Sequence, residues 1–193
     1  MALLLLLLML PVLLVAGLVV IALSRRCPLV AHARVGRHGE QIWVLKLRTM
    51  WGGPDLNRGG RGFLIERVAE EPPARVKNSE DERITSGFAA WCRKYSVDEL
   101  PQLWHVVQGD LSLVGPRPLT AGELSEHYGP AAKEILRLRP GLTGLWQIKG
   151  RSRLNYQRRR RLDLFLVRHW SVRLYLAILL QTVPKVVRGV DAW

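Results

Sequence analysis

The sequence is short of cysteine, of acidic residues and, in its first part, of any charge. Its 193 residues include two cysteines, Cys27 and Cys92. Two cysteines exclude a disulfide framework, and no Cys/His spacing typical of a metal site accompanies them. Hydrophobic residues make up 48% of the chain, which excludes a disordered or collagen-like protein. The chain is long enough for one domain with a buried core.

Acidic side chains are outnumbered, with 16 Asp and Glu against 29 Lys and Arg, a net charge of +13. Most of this excess lies in residues 137–193, which hold 13 basic and 2 acidic side chains. A charge of this size favours an anionic partner, namely nucleic acid, a phosphorylated small molecule or an acidic membrane surface.

Residues 1–23 form an apolar run interrupted only by Pro11 and Gly17. As a helix this run would be roughly 35 Å long, enough to cross a hydrocarbon core of about 30 Å. Arg25 and Arg26 follow it directly, so the positive-inside rule places the rest of the chain in the cytoplasm. A cleaved signal peptide is disfavoured, because no basic residue precedes the run and no small-residue cleavage site follows it.

Two membrane arrangements remain open for this run. A single spanning helix is the simpler interpretation, and the pattern alone favours it. Pro11 lacks a backbone donor and can kink a helix near its middle, so the run could instead enter and leave by the same face as a re-entrant hairpin. Kinked spanning helices are common, so Pro11 by itself does not decide between them.

The remaining sequence predicts an α/β domain that is mostly helical with a small sheet. Alternating residues predict a strand over 41–50. Glycine, proline and charge predict a long loop over 51–78, with a short helix near 63–68. Residues 88–94 are expected to be helical. Residues 163–183 are apolar but carry arginines, which favours an in-plane interfacial helix whose arginines reach lipid headgroups.

Asp98 and Glu99 are adjacent carboxylates at the expected start of a helix, because Pro101 is tolerated only in a first turn. The ordinary explanation is helix capping, and Ser96 with Glu99 matches a capping box. The functional explanation rests on the basic residues just before the pair. A carboxylate held among cations stays ionised, as a nucleophile or a Mg²⁺ ligand must.

Several basic residues are candidates for binding phosphate. Lys46 and Arg48 lie two apart on one strand face, either as a solvated surface or as a two-pronged phosphate clamp. Arg117 lies between two prolines, either in a rigid surface turn or in a stiff loop that presents its guanidinium to a phosphate. Arg93 precedes the carboxylate pair. The arginine run at 158–161 is interpreted as a solvated or lipid-facing surface.

Taken together, these motifs resemble the small monotopic phosphoglycosyl transferases, also called bacterial sugar transferases. The resemblance extends from the apolar run to about Gly189. It rests on a series of motifs in order: Arg34-Val35-Gly36, Leu45-Lys46-Leu47-Arg48-Thr49-Met50, Asp81-Glu82-Arg83-Ile84-Thr85, Asp98-Glu99-Leu100-Pro101-Gln102-Leu103, Gly109-Asp110-Leu111-Ser112-Leu113-Val114-Gly115-Pro116-Arg117-Pro118, Arg139-Pro140-Gly141-Leu142-Thr143-Gly144, Leu162-Asp163 and Trp170-Ser171.

The resemblance implies a monotopic α/β protein on the cytoplasmic face of the inner membrane. It favours a re-entrant helix over residues 1–24 and a catalytic domain over residues 25–193. The implied reaction transfers a phosphosugar from a UDP-sugar to undecaprenyl phosphate and releases UMP. This reaction initiates a surface glycan such as an exopolysaccharide, a capsule, an O-antigen or a protein-linked glycan. Membrane lipid headgroups are further implied partners, nucleic acid is not expected, and a homo-oligomer is left open.

The resemblance also implies roles for individual residues. Asp98 corresponds to the nucleophile and Glu99 to its metal-associated neighbour, both acting with Mg²⁺ bound to the substrate diphosphate. A covalent intermediate on Asp98 predicts ping-pong kinetics. Lys46, Arg48, Arg93 and Arg117 remain the candidate phosphate contacts.

Two other functions compete with this assignment. The arginine excess favours a membrane-tethered basic binding protein, but no helix-turn-helix, RNA-binding or zinc pattern accompanies it. An inactive scaffold of a polysaccharide export complex is the second alternative, and the intact Asp98-Glu99 pair argues against it.

Overall fold

The computed structural model describes residues 1–51, 64–68, 84, 86–150 and 153–189. This part of the chain is mostly helical with little sheet, in agreement with the predicted class. Its α-helices are α1 Ala2–Ser24, α2 Gly87–Lys94, α3 Leu103–Gln108, α4 Ala121–Glu123, α5 Ala132–Ile135, α6 Leu145–Ile148, α7 Tyr156–Arg168 and α8 Val172–Arg188. Its strands are β1 Leu29–Val35, β2 Gln41–Leu47, β3 Ile65–Val68, β4 Ser112–Val114 and β5 Gly141–Thr143.

Helix α1 runs without interruption through Pro11. In the described part of the chain it is the one helix long and apolar enough to cross a membrane. Its less exposed residues recur mainly every three or four positions and so form one stripe. Ala16 and Val20 in this stripe are buried, and α1 packs against α3 and the short 3-10 helix that precedes it. The other faces of α1 expose leucine and valine side chains.

The first sheet has the strand order β2-β1-β3, with β1 antiparallel to β2 and parallel to β3. Strand β3 lies where the sequence predicted a short helix near 63–68, so that prediction is wrong. Its four residues pair with the open edge of β1, and this long-range pairing overrides the weak local preference. Phe63 and most of the predicted loop over 51–78 lie outside the described residues.

A buried ion pair connects β3 to the residue that follows β2. Arg48 follows β2 and donates to the carboxylate of Glu66 on β3 and to the Cys27 carbonyl at 2.7 Å. Arg48 is 3% exposed, so it does not lie on a solvated strand face. The Arg48 guanidinium is engaged by groups of the protein itself.

The segment over 163–183 contains parts of two helices, where the sequence predicted one. Helix α7 ends at Arg168, and Ser171 caps α8 by accepting from the Leu174 amide at 3.2 Å. Arg168 makes a bidentate pair with Glu134 at 2.8 and 3.0 Å, so its guanidinium is held by a protein carboxylate. Helix α8 is amphipathic, with Ile178 fully buried and an apolar stripe exposed at Val172, Leu176, Leu180, Val183 and Val187. Contact of α8 with headgroups stays a prediction.

We expect Glu66→Ala to destabilise the fold strongly, because it leaves the buried Arg48 charge without its carboxylate partner. The expected loss is about 3 kcal/mol of unfolding free energy, measured on the full chain in detergent by thermal or denaturant unfolding. Glu134→Ala is the matched control, because it breaks the exposed pair with Arg168 and should change stability little. Equal losses in the two variants would contradict a structural role for the Arg48–Glu66 pair.

Candidate active site

The carboxylate pair lies in a 3-10 helix, Val97–Gln102, that leads directly into α3. Pro101 is accommodated inside this helix, and Gly109 ends α3 in a left-handed conformation, as the sequence predicted. The expected capping box at Ser96 and Glu99 does not form. Ser96 has a left-handed φ of 58° in place of the extended backbone of a capping residue. A capping box is found at Thr120 and Glu123.

A small hydrophobic cluster lies beneath the pair and joins it to α1. Val97 packs with Cys92, Leu47, Val20 and Ala16 in this cluster. Burial, with a further contribution from the Asp98 charge, raises the pKa of the Cys92 thiol to about 12. Cys92 is therefore a packing residue that stays protonated, and Asp98 lies close enough to it to affect its charge. The pair itself is half-buried, and the 3-10 helix that carries it contacts α1.

Two of the predicted basic residues lie on elements beside this pair. Lys46 Nζ is 3.9 Å from Glu99 Oε1, so β2 brings a cation to the second carboxylate. Arg93 lies in the last turn of α2, and its carbonyl accepts from the Ser96 amide at 3.3 Å just before the pair. The buried Nε of Arg93 has no hydrogen-bond partner in the described part of the protein. A half-buried arginine with an unused Nε–H donor is suited to binding an anion.

Arg117 follows β4, where two glycine-rich motifs meet. Gly115 donates to the Thr143 carbonyl at 2.9 Å, and Gly141 donates to the Pro116 carbonyl at 2.8 Å. A Cβ atom on Gly115 would lie 2.3 Å from the Arg139 carbonyl oxygen, so the strands can approach this closely only through glycine. The predicted turn over 139–144 thus contains β5, which fixes the loop that carries Arg117.

The Arg117 guanidinium lies 5.0 Å from the centre of the Trp146 ring, and Arg159 lies 5.7 Å from the same ring. Burial raises the pKa of Glu123, but Arg117, the Thr120 amide and the Tyr156 hydroxyl together hold it below its ordinary value. We call Arg117, Arg159, Trp146, Glu123 and Tyr156 the arginine cluster.

The sequence did not predict a role for Arg159. Its spacing of three from Tyr156 and four from Asp163 places these three residues on one helical face, which was the available signal.

Asp163 lies under the arginine cluster and is fully buried. The Tyr128 hydroxyl donates to Asp163 Oδ2 at 2.9 Å. Burial raises the pKa of Asp163 to about 7, even though Tyr128, Arg117 and Arg159 act in the opposite direction. The same burial raises the pKa of Tyr128. This carboxyl group therefore gains or loses its charge near neutral pH.

The donor set at the pair is compatible with Mg²⁺ only if a substrate completes it. No group of three metal-binding side chains occurs in the part of the chain that the structure describes. Asp98 and Glu99 supply carboxylate oxygens, and Mg²⁺ is commonly held by one or two carboxylates, substrate phosphates and water. The residues thus fit an ion shared with a bound diphosphate.

Comparison with known proteins identifies the family. The model of the bacterial sugar transferase family matches residues 1–189. The chain belongs to the bacterial sugar transferase family. This confirms the resemblance stated from the sequence and the assignment as a sugar transferase.

Three curated relatives illustrate the match. The chain is 42% identical over 157 residues to the exopolysaccharide production protein ExoY of Sinorhizobium fredii, which covers 80% of the chain and 68% of the relative. It is 37% identical over 171 residues to the UDP-galactose-lipid carrier transferase of Erwinia amylovora, and 39% identical over 168 residues to the undecaprenyl-phosphate galactose phosphotransferase of Salmonella typhimurium. These matches cover 86% and 84% of the chain but 34% of each relative.

We expect the stability of the wild type to fall relative to Asp163→Asn as pH rises from about 4 to 7. The folded state keeps the Asp163 proton up to a pKa of about 7, whereas the unfolded state loses it near 3.8. The folded state therefore binds more protons across this interval, and raising the pH disfavours it. The measurement is the melting temperature of each protein in detergent across this pH range.

Glu40→Gln is the control for this experiment, because Glu40 is exposed and its removal should leave the wild-type pH profile in place. If the melting temperatures of Asp163→Asn and Glu40→Gln both change with pH as that of the wild type does, Asp163 does not titrate as its burial implies.

Proposed function

We propose that this protein transfers a phosphosugar from a UDP-sugar to undecaprenyl phosphate through a covalent intermediate on Asp98. The observation that carries the proposal is the half-buried Asp98-Glu99 pair, packed over α1 with a cation beside it. Family membership and two relatives named for UDP-galactose and undecaprenyl phosphate support it. The product, undecaprenyl-diphosphate-sugar, would initiate a surface glycan, and the name of the Sinorhizobium relative favours an exopolysaccharide.

The chemistry proceeds in two displacements at one phosphorus atom. An oxygen of the Asp98 carboxylate attacks the phosphorus that bears the sugar, and the bond from this phosphorus to the bridging oxygen of UMP breaks. UMP leaves, and Asp98 carries the phosphosugar as an acyl phosphate. An oxygen of undecaprenyl phosphate then attacks the same phosphorus, the bond to Asp98 breaks, and the carboxylate is regenerated.

Positive groups allow one anion to attack another in this scheme. Mg²⁺, when bound with the diphosphate at Asp98 and Glu99, supplies charge neutralisation on the phosphate oxygens. Lys46 lies within ion-pair distance of Glu99 and holds this carboxylate in place beside Asp98. Arg93 and Arg117 are the proposed phosphate contacts, each with a buried Nε that lacks a partner in the described part of the chain. Arg48, a candidate phosphate contact from the sequence, is not included, because its buried guanidinium binds Glu66 and the Cys27 carbonyl.

We further propose a monotopic placement on the cytoplasmic face, with α1 embedded from one side. The less exposed stripe of α1 extends from Ala2 to Ser24, so the domain covers one face of the helix along its length. Met1 and Ala2 line a cleft together with Trp170 and Tyr175, and Ala16 and Val20 near the other end of α1 pack with Cys92 and Val97. A helix that crossed the bilayer would carry its first residues away from a cytoplasmic domain. Contacts at both ends of α1 favour an arrangement that keeps α1 on one side of the bilayer. The re-entrant hairpin stays a prediction, because α1 is continuous through Pro11.

Asp98→Asn should abolish turnover, by at least about 10³-fold, and should also abolish the covalent intermediate, because a neutral amide is not an attacking oxyanion. Asparagine has the same size, so folding should survive. The assay incubates the protein with a panel of labelled UDP-sugars without lipid acceptor, and measures label on the protein and release of UMP.

Glu126→Gln is the matched control, because it neutralises an exposed carboxylate and should be labelled like the wild type. Glu99→Gln should lower activity through its effect on Mg²⁺ and charge. Label on Asp98→Asn at the wild-type level would exclude Asp98 as the nucleophile. No UMP release from the wild type with any UDP-sugar and undecaprenyl phosphate would favour the inactive scaffold.

A cysteine added before Met1, with Cys27 and Cys92 replaced by serine, tests the placement of α1. Re-entrant insertion leaves this cysteine on the cytoplasmic side, so an impermeant maleimide should label it only after the cells are opened. Labelling in intact cells would show that α1 spans the membrane. A cysteine in place of exposed Ser125 reports the position of the domain in the same experiment.

A further inference from the structure

A cleft of about 510 Å³ lies between the start of α1, strand β4, the segment after α5 and the start of α8. This volume is in the range of sites for small ligands. Among the residues that the structure describes, three arginines line the cleft, Arg37, Arg137 and Arg139, and no acidic residue does. Glu134 is close enough to Arg137 to respond to its charge, but Arg168 engages both Glu134 carboxylate oxygens. The cleft is therefore cationic.

Hydrogen bonds join the segment that carries Arg37 to the segment that carries Arg137 and Arg139. Arg37 Nε donates to the Arg137 carbonyl at 3.0 Å, and the His38 amide donates to the Leu136 carbonyl at 2.8 Å. The turn between β1 and β2 is thus attached to the segment that carries Arg137 and Arg139. The cationic groups meet because two distant parts of the chain are joined here, and not because of a local run of arginines.

The walls of the cleft are apolar and aromatic. Leu113 of β4 and Tyr175 of α8 contribute to the wall, and Trp170 is about half exposed beside them. Tryptophan and tyrosine are the residues that concentrate at the level of lipid headgroups. The exposed apolar stripe of α8 begins at Val172, next to the cleft, and the exposed leucines of α1 begin at Leu3 on its other side. A ligand with a negative head and apolar chains matches these surfaces.

We propose that this cleft binds the phosphate headgroup of an anionic membrane phospholipid, with its acyl chains along the exposed faces of α1 and α8. The cleft is a separate site from the carboxylate pair. Val97, next to the pair, packs on Ala16 and Val20, whereas the cleft is at Met1 and Ala2, and the intervening α1 residues span roughly 20 Å. The bound phosphate is therefore not the reacting one, and the proposal does not depend on transferase activity.

The test measures lipid retention by native mass spectrometry on the full chain in detergent, with short-chain phosphatidylglycerol or phosphatidylcholine added. The wild type should retain phosphatidylglycerol preferentially. Arg137→Gln/Arg139→Gln should lower its affinity by roughly fivefold to thirtyfold, since each basic side chain near an anionic lipid contributes about a fivefold factor. The variant keeps the Arg37 bond to the backbone of residue 137, and its melting temperature checks that it folds.

Arg158→Gln/Arg161→Gln is the control, because it removes the same charge from two exposed positions on α7 and should leave the preference intact. Equal losses of phosphatidylglycerol affinity in both variants would mean that the overall surface charge determines lipid binding, and would overturn the proposal. Displacement of the lipid by inorganic phosphate at equal concentration would mean a site for a free anion and would also overturn it. An unchanged preference for phosphatidylglycerol in Arg137→Gln/Arg139→Gln would show that the lipid binds elsewhere, and would overturn the proposal.

Discussion

The contact of Ala16 and Val20 in α1 with Val97 and Cys92 is the interaction on which the site depends. It joins a helix that is apolar enough for a membrane to the 3-10 helix that carries the carboxylates. Both α1 residues are small enough for the helix to approach closely. Under the proposed function, reactive groups held at this junction would meet a water-soluble nucleotide sugar on one side and a lipid phosphate on the other. Helix α1 would then form a wall of the site as well as an anchor.

A second constraint fixes the arginine cluster. The close approach of Gly115 to Gly141 leaves no room for a Cβ atom, so the loop with Arg117 has essentially one position relative to Trp146. Arg159 reaches the same ring from α7, and the buried Asp163 lies below both. Two guanidinium groups near one aromatic ring repel each other unless anions compensate them. Glu123 provides one such anion, and a substrate phosphate would provide another.

Features that depend on interactions between neighbouring residues could be predicted from local sequence patterns. The apolar run, helix α2 and the end of α3 at Gly109 were predicted, and the order of motifs identified the family. The sequence did not predict β3, because four residues acquire strand structure only by pairing with β1. It did not predict the buried Arg48–Glu66 pair, because the partners are separated by a segment without a readable pattern. The break between α7 and α8 was missed because His169 and Trp170 do not disfavour a helix, and the capping residue Ser171 was the one local signal of a new helix start.

The distribution of arginines explains why net charge alone could not separate the candidate functions. Some arginines are paired with carboxylates of the protein, Arg48 with Glu66 in the interior and Arg168 with Glu134 at the surface. Others lie in the cleft beside Met1, where none of the described lining residues is acidic. A nucleic-acid surface would present its charge as a polar face, whereas this cleft adjoins exposed apolar helices. Positive charge at the edge of an apolar surface is what a phosphate attached to a lipid requires.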